Sequence, residues 1–202
     1  MLFTKTEIKI LELLVSKPIQ KFTIREISRL IKKDLKIVHT SIQRLITKKI
    51  ILKDEQRHLH LNYQANFSDL AYVENLRKER FFLQHHNIKI AAADFLKKTK
   101  EMFFVLLIFG SYAEGNQHKS SDLDILAILP QEDKNNSFER ELNSCLSLSL
   151  PRPHLQMISQ ASFKEMIAQR DEINIANEVL SKHIFIFGAE IYYKMLRERH
   201  VR

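Results

Sequence analysis

Two carboxylates, Asp122 and Asp124, begin a segment of the sequence that is otherwise apolar. The segment 122–129 has the composition of a strand that is buried on both faces of a sheet. Side chains at positions i and i+2 of a strand point to the same face, so we expect these two like charges to share a cation. Oxygen ligands without cysteine or paired histidine favour Mg²⁺ or Mn²⁺.

The pair Gly110-Ser111 follows a second apolar segment, 102–109, which also predicts a buried strand. Glycine lets the backbone approach a phosphate closely, and the Ser111 hydroxyl can donate a hydrogen bond to that phosphate. Residues 112–115 begin a helical turn, and the free N–H groups at a helix N-terminus bind anions. A phosphate site beside paired carboxylates is the minimum that metal-assisted phosphoryl transfer requires.

Gly-Ser, ten intervening residues and Asp-x-Asp together resemble the signature of the polymerase-beta-like nucleotidyltransferase superfamily, and more closely its minimal nucleotidyltransferases from prokaryotes. The resemblance covers residues 90–195 and includes Gly110, Ser111, Ala113, Gly115, Ser121, Asp122 and Asp124. It implies transfer of a nucleoside monophosphate from a nucleoside triphosphate, with ATP expected, to an acceptor hydroxyl. It further implies that Asp122 and Asp124 are the catalytic metal ligands. The phosphate-binding residues that it implies are Gly110, Ser111 and Ser121.

One feature of that family has no counterpart in the local sequence. Family members usually bring a third carboxylate from a later strand, and the matching apolar segment here is 154–158. Its residues on one face are His154, Gln156 and Ile158, so we expect His154 or Gln156 to lie where the third acid would. The resemblance implies weaker metal binding in that case. Glu114, where relatives often carry a basic residue, is expected to reduce triphosphate affinity.

The net charge of +8 is concentrated in the first third of the chain. Residues 1–66 contain 14 Lys and Arg against six Asp and Glu, whereas the remaining residues contain 18 of each class. A basic segment beside a neutral one indicates a surface for a polyanion such as DNA. Solubility alone is the alternative explanation of this excess.

The same basic segment predicts three helices and a β-hairpin. Helices are expected over 6–15, after a capping box formed by Thr23 and Glu26, and over 36–48, and a hairpin over 50–61. This order resembles winged helix-turn-helix DNA-binding domains. The residues that it implies for DNA binding are Lys36, His39, Thr40, Gln43 and Arg44 in the major groove, and Lys53 and Arg57 on the wing. A protein-interaction module with the same fold is the alternative.

The whole chain therefore predicts an α+β protein with three parts. These are a winged helix over 1–66, a helical connector over 67–87 and a mixed-sheet α/β nucleotidyltransferase domain over 88–202. The second helix is expected to bury Leu30, and the connector is expected to place Leu83 on its apolar stripe. Helices over 162–168 and 171–180 and a strand over 183–187 are expected to complete the last part. A helix is expected after Gly188.

Composition excludes several other classes of protein. The 202 residues include only three glycines, no apolar run approaches the roughly 18 residues of a membrane span, and Cys145 is the one cysteine. We therefore expect a cytoplasmic protein without a membrane segment.

The acceptor of the expected transfer reaction is an RNA end or a partner protein. The alternatives are a DNA-binding regulator with a degenerate, nucleotide-sensing transferase domain, and an antitoxin that binds a helical toxin-like partner. Homodimer formation is left open.

Overall fold

The structure is a computed structural model that describes residues 3–64, 67–131, 135–146, 151–169 and 174–200. Ten helices and six strands lie within these residues. In chain order they are α1 (Lys5–Ser16), α2 (Ile24–Leu30), α3 (Leu35–Thr47), β1 (Ile51–Lys53), β2 (Leu59–Leu61), α4 (Phe67–Gln84), α5 (His86–Lys98), β3 (Val105–Ile108), α6 (Gly110–Glu114), β4 (Leu123–Leu129), α7 (Asn135–Leu146), β5 (Pro153–Ser159), α8 (Gln160–Ala168), α9 (Ile175–Ser181), β6 (Ile184–Phe187) and α10 (Ala189–His200). No helix in the described ranges is both long and apolar enough to cross a membrane.

The first three helices begin at side chains that satisfy their free N–H groups. Thr23 and Glu26 form the capping box that the sequence predicts for α2, and Thr4 forms another with Glu7 at α1. Asp34 caps α3 by accepting hydrogen bonds from the backbone of its first turn. The antiparallel hairpin of β1 and β2 then returns the chain to the helices, because Leu59 also bridges Phe22.

The second helix buries less of its surface than the apolar pattern predicts. Ile27 is its buried residue, whereas Leu30 is 52% exposed. Leu30 lies in the last turn of a seven-residue helix, and the chain leaves the helical conformation at Ile31. The last turn of α2 therefore exposes the apolar side chain of Leu30 to solvent.

The long helix α4 packs against helices from both ends of the chain. It contacts α1 on one side and α10 and β6 on the other. This double contact explains why Glu74 and Arg77 are buried, since the helix has more than one covered face. Leu83 is 84% exposed, contrary to the expected stripe, and Phe82 is buried instead. Helix α4 ends at Gln84, and α5 starts at His86.

The C-terminal part contains the expected mixed sheet. Its strand order is β5-β4-β3-β6, in which β4 and β5 are parallel and β3 is antiparallel to both of its neighbours. One face of the sheet packs with α5 and α7. The other face packs with α8, α9 and α10, in a core that continues through α4 to the N-terminal helices.

The strand predicted over 102–109 is half that length. Met102 and Phe103 are 73% and 65% exposed, and β3 begins at Val105. Pairing with β4 begins at Val105, so the apolar residues before it have no strand beside them on that side. Helix α7 was not predicted from the sequence. The helix expected over 171–180 is observed as α9, and residues 171–173 lie outside the described residues.

The third glycine is required by a close approach of two backbone segments. Gly188 joins β6 to α10 with φ of +81°, and a Cβ atom there would lie 2.1 Å from the Phe104 carbonyl oxygen. Only glycine fits both the left-handed conformation and this contact. The strand-to-helix turn expected at this position is therefore confirmed.

Candidate active site

Antiparallel pairing of β3 and β4 brings the Gly-Ser turn beside the Asp-x-Asp segment. Ile108 pairs with Ile125, and the Phe109 N–H donates to the Asp124 carbonyl oxygen at 3.1 Å. The end of β3 and the start of β4 therefore lie at the same edge of the sheet. Gly110 follows Phe109 directly, so the turn begins next to Asp124.

The Asp124 carboxylate lies against Gly110. A Cβ atom built on Gly110 would be 2.4 Å from Asp124 Oδ2, and the φ angle of Gly110 is +62°. The first observation means that a side chain at Gly110 would displace the Asp124 carboxylate, and the second means that it would strain the backbone. The carboxylate and the start of the turn thus form one surface.

Helix α6, which contains Ser111, is short and is held in place from outside. It ends at Gly115 in the left-handed conformation. The Tyr112 ring meets the His85 ring edge-on at 5.5 Å. Lys182 Nζ donates to the Glu114 carbonyl oxygen at 2.8 Å, which satisfies an unpaired acceptor at the helix end. These contacts fix the Gly-Ser turn against the sheet.

Of the two residues expected in place of the third acid, His154 is the one that lies beside Asp124. Parallel pairing of β4 and β5 places His154 opposite Asp124, and His154 Nδ1 lies 3.1 Å from Asp124 Oδ1. Gln156 pairs with Leu126, farther along the strand. The two oxygens of Asp124 therefore have different neighbours: Oδ1 contacts an imidazole, and Oδ2 contacts the glycine turn.

Asp122 and Ser121 lie just before β4. The Asp122 side chain is exposed, and Ser121 Oγ accepts a hydrogen bond from the His118 N–H within the preceding loop. Across the described residues, no three His, Cys, Asp or Glu side chains form a group that could hold a metal ion.

This donor set suits Mg²⁺ or Mn²⁺ that arrives with a nucleotide. Mg²⁺ in proteins commonly uses one or two carboxylates, while substrate phosphates and water supply its other ligands. Asp124 meets that requirement because its half-buried carboxylate lies beside Gly110, which has no side chain to block the approach of a phosphate. Asp122 adds a second, exposed carboxylate at the same edge.

Two further residues belong to this surface and were not expected from the sequence. Burial and the negative charges of Asp124 and Glu114 raise the pKa of Glu178, on α9. Lys182 directly follows α9 and holds α6. Nothing in the local pattern of 175–182 marks either residue. Their proximity arises because α9 leads into β6, which pairs with β3 beside the turn.

All seven side chains predicted to bind DNA are exposed. Five lie on α3 and two on the hairpin: Lys36, His39, Thr40, Gln43, Arg44, Lys53 and Arg57. The opposite face of α3 buries Val38, Ile42 and Leu45. Thr40, Gln43 and Arg44 line one groove of about 550 Å³ with the start of α1. The polar side chains of α3 thus share one surface.

Substitution of the two glycines that bound α6 separates backbone strain from contact with Asp124. Both have positive φ, but a Cβ at Gly115 would meet nothing within 4 Å. We expect Gly115→Ala to lose about 1–2 kcal/mol of stability from the left-handed conformation alone. We expect Gly110→Ala to displace the Asp124 carboxylate as well and, at the nucleoside triphosphate site that the sequence resemblance implies, to weaken binding at least about tenfold.

Titration of each variant with a fluorescent ATP analogue measures the difference in nucleotide affinity. Thermal unfolding measures the loss of stability that both variants share. Equal nucleotide affinities in the two alanine variants would contradict the role given to the contact between Gly110 and Asp124.

Comparison with known proteins gives one family and one solved structure. The family model described as "Polymerase beta, Nucleotidyltransferase" matches residues 91–195. A structure described as "Crystal structure of the toxin-antitoxin with AMP-PNP" has 17% sequence identity and a TM-score of 0.36, and the match covers 55% of this chain and 82% of that chain. Comparison with curated proteins gives no match.

Proposed function

Since the chain belongs to the polymerase beta nucleotidyltransferase family, we propose that it transfers a nucleoside monophosphate from a nucleoside triphosphate, ATP first, to an acceptor hydroxyl. The observation that supports this most directly is the contact of the Asp124 carboxylate with Gly110. This contact brings a carboxylate oxygen beside the glycine turn, and in this proposal the oxygen binds the cation and the turn binds a phosphate. The acceptor is an RNA end or a hydroxyl of a partner protein.

In this proposal each residue of the site has a separate role. Asp122 and Asp124 hold Mg²⁺ or Mn²⁺, which neutralises charge on the triphosphate. The turn residues Gly110 and Ser111 bind the terminal phosphates through backbone N–H groups and the Ser111 hydroxyl. Ser121, before β4, also binds a phosphate. The acceptor oxygen bonds to the α-phosphorus, the bond from that phosphorus to the β-phosphate bridge breaks, and pyrophosphate leaves. The hydroxyl proton passes to water.

Transfer from labelled ATP tests the reaction. The full chain is incubated with α-³²P-ATP, Mg²⁺ or Mn²⁺ and a cell lysate, and RNA and protein are then separated. We expect one acceptor to carry the label, and γ-³²P-ATP to leave it unlabelled because pyrophosphate is the product. If no acceptor is labelled with any nucleoside triphosphate or either metal, the transferase proposal fails.

We also propose that residues 1–66 form a winged helix that binds DNA. The support is the exposed polar face of α3 together with the hairpin that follows it, in the part of the chain that carries the net charge of +8. On the wing, Lys53 and Arg57 would contact phosphates. The residues of α3 that would enter the major groove are Lys36, His39, Thr40, Gln43 and Arg44. Binding of this kind couples the transferase to a DNA site.

DNA affinity is expected to fall steeply with salt, because each neutralised phosphate releases a counterion. The slope of log affinity against log salt should change by about 0.9 for each phosphate contact removed. We expect Lys53→Ala to reduce the slope by about that amount, whereas Lys89→Ala, an exposed residue on α5, leaves it unchanged. Fluorescence anisotropy at several salt concentrations measures both. An affinity independent of salt would contradict DNA binding through this surface.

A second candidate function is favoured by His154 in place of an acid beside Asp124. In that case the transferase domain is degenerate and senses a nucleotide, and the chain acts as a DNA-binding regulator or as an antitoxin with a helical partner. The two candidates differ in one measurement. A regulator binds ATP and changes its DNA affinity without labelling any acceptor, whereas the enzyme labels one.

A further inference from the structure

A histidine contacts the carboxylate that the proposed reaction uses as a metal ligand. We propose that His154 is a nitrogen ligand of the same divalent cation, and that it shifts the preference of the site from Mg²⁺ towards Mn²⁺. This inference rests on the proposed function, because it concerns the cation that enters with the nucleotide. It assigns His154 a role in metal selection.

The backbone fixes the two donor atoms relative to each other. Asp124 and His154 are directly paired residues of parallel strands, so their side chains leave the same face of the sheet. Neither position depends on a flexible loop, since β4 and β5 each continue for several paired residues beyond them. A ligand pair held by two strands is already close to its bound arrangement.

The separation of the donor atoms suits two ligands of one ion. Adjacent ligands of an octahedral cation with bonds of about 2.0–2.1 Å lie about 2.8–3.0 Å apart, close to the observed separation. His154 Nδ1 and Asp124 Oδ1 are 3.1 Å apart. A cation bonded to both atoms would lie to one side of the line that joins them, so binding requires the imidazole ring to turn Nδ1 towards the cation.

The surroundings of this pair favour a cation and leave room for a nucleotide. The charges of Asp124 and Glu114 contribute to the raised pKa of Glu178, so the local field is negative. Lys182, a cation of the same surface, is already bound to the Glu114 carbonyl oxygen. His154 is exposed and Asp124 is half-buried, so phosphates and water can reach the open side of the ion.

The chemistry of the ligand atoms determines which metal ion the site binds more tightly. Imidazole nitrogen suits transition metals, whereas Mg²⁺ prefers oxygen ligands and dehydrates reluctantly. A neutral imidazole also supplies one negative charge less than a carboxylate would. Mn²⁺ accepts both donor types, so a site with one histidine binds it better, relative to Mg²⁺, than an all-carboxylate site does.

Pulsed electron paramagnetic resonance of Mn²⁺ tests the proposal without any measurement of activity. The full chain is saturated with Mn²⁺ and a non-hydrolysable ATP analogue, once unlabelled and once with ¹⁵N-histidine. We expect a directly coordinated nitrogen whose signal changes from ¹⁴N to ¹⁵N on histidine labelling. That change separates imidazole from adenine nitrogens. His86→Ala, at the exposed start of α5, keeps the signal, and His154→Asp loses it.

Competition between Mg²⁺ and Mn²⁺ gives the second readout. We expect His154→Asp to lower the ratio of Mn²⁺ to Mg²⁺ affinity at least about tenfold, which corresponds to about 1.4 kcal/mol. If Mn²⁺ and the nucleotide bind wild type without histidine nitrogen coupling, this inference is overturned while the transferase proposal stands. If neither binds, both are overturned.

Discussion

Asp124→Asn is expected to lower nucleotidyl transfer at least about a hundredfold, because a metal ion that clamps a phosphoryl group contributes several kcal/mol to the transition state. The substitution removes one negative charge and keeps the size of the side chain. The asparagine oxygen can still accept a hydrogen bond from His154 Nδ1, so the contact between β4 and β5 is preserved. The loss should therefore appear in the rate and not in folding.

The measurement is the initial rate of label transfer from α-³²P-ATP, with thermal unfolding of the same samples. Asp122→Asn is expected to act in the same direction, and the double variant to show no transfer. Asp94→Asn is the matched control, since Asp94 is an exposed carboxylate on α5 of the same domain. Transfer by Asp124→Asn at the wild-type rate would show that label transfer does not depend on this site.

Glu74→Gln is expected to destabilise the whole chain by about 3–5 kcal/mol, the usual cost of leaving one member of a buried ion pair without its partner. Glu74 lies in α4 and is almost fully buried. Its carboxylate accepts from Arg77 at 2.5 Å and from the Tyr193 hydroxyl at 2.7 Å. Arg77 also donates to the His183 carbonyl oxygen at 2.6 Å. The network thus joins α4 to α10 and to the start of β6.

Urea unfolding measures the effect as a shift of the midpoint at constant slope. Glu198→Gln is the matched control. Its carboxylate accepts from Lys164 at 2.6 Å in a pair with both side chains exposed, so about 0–1 kcal/mol is expected. Equal losses in the two variants would mean that Arg77 finds other acceptors when Glu74 is neutral.

The same network makes stability depend on pH in a defined direction. Burial alone would raise the pKa of Glu74, but the Arg77 charge, with His183 and Tyr193, outweighs it and holds the pKa below the ordinary value of 4.5. Because the pKa of Glu74 is lowered in the folded state, the ionised carboxylate stabilises the fold above pH 4.5. That stabilisation is lost as the pH falls below this value. Wild type should lose stability in that acidic range more steeply than Glu74→Gln.

The local elements of this protein follow closely from its sequence. The capping box of Thr23 and Glu26 and the helix expected over 36–48 are each set by neighbours within four residues. The predictions that were wrong concern the length of the strand expected over 102–109 and the burial of apolar side chains. Leu30, Leu83 and the pair Met102 and Phe103 are apolar and exposed, because exposure depends on which elements pack alongside them.

The chemical character of the site also follows from the sequence, because Gly-Ser and Asp-x-Asp are local patterns of residue types. Residues 91–195 match the family that these patterns resemble. The sequence left open whether His154 or Gln156 would stand in for the third acid. That choice depends on strand register, and pairing of β4 with β5 places His154 opposite Asp124.

The sequence by itself therefore determined the elements, the glycine turn and the carboxylates, since each depends on short-range sterics and hydrogen bonding. Only the tertiary structure decided which residues from distant parts of the sequence contact these features. Glu178 and Lys182 reach the turn because α9 leads into a strand that pairs with β3, and Glu74 is buried because α4 packs on both ends of the chain. Contacts between residues far apart in sequence depend on how the sheet and helices pack, and no local pattern encodes that packing.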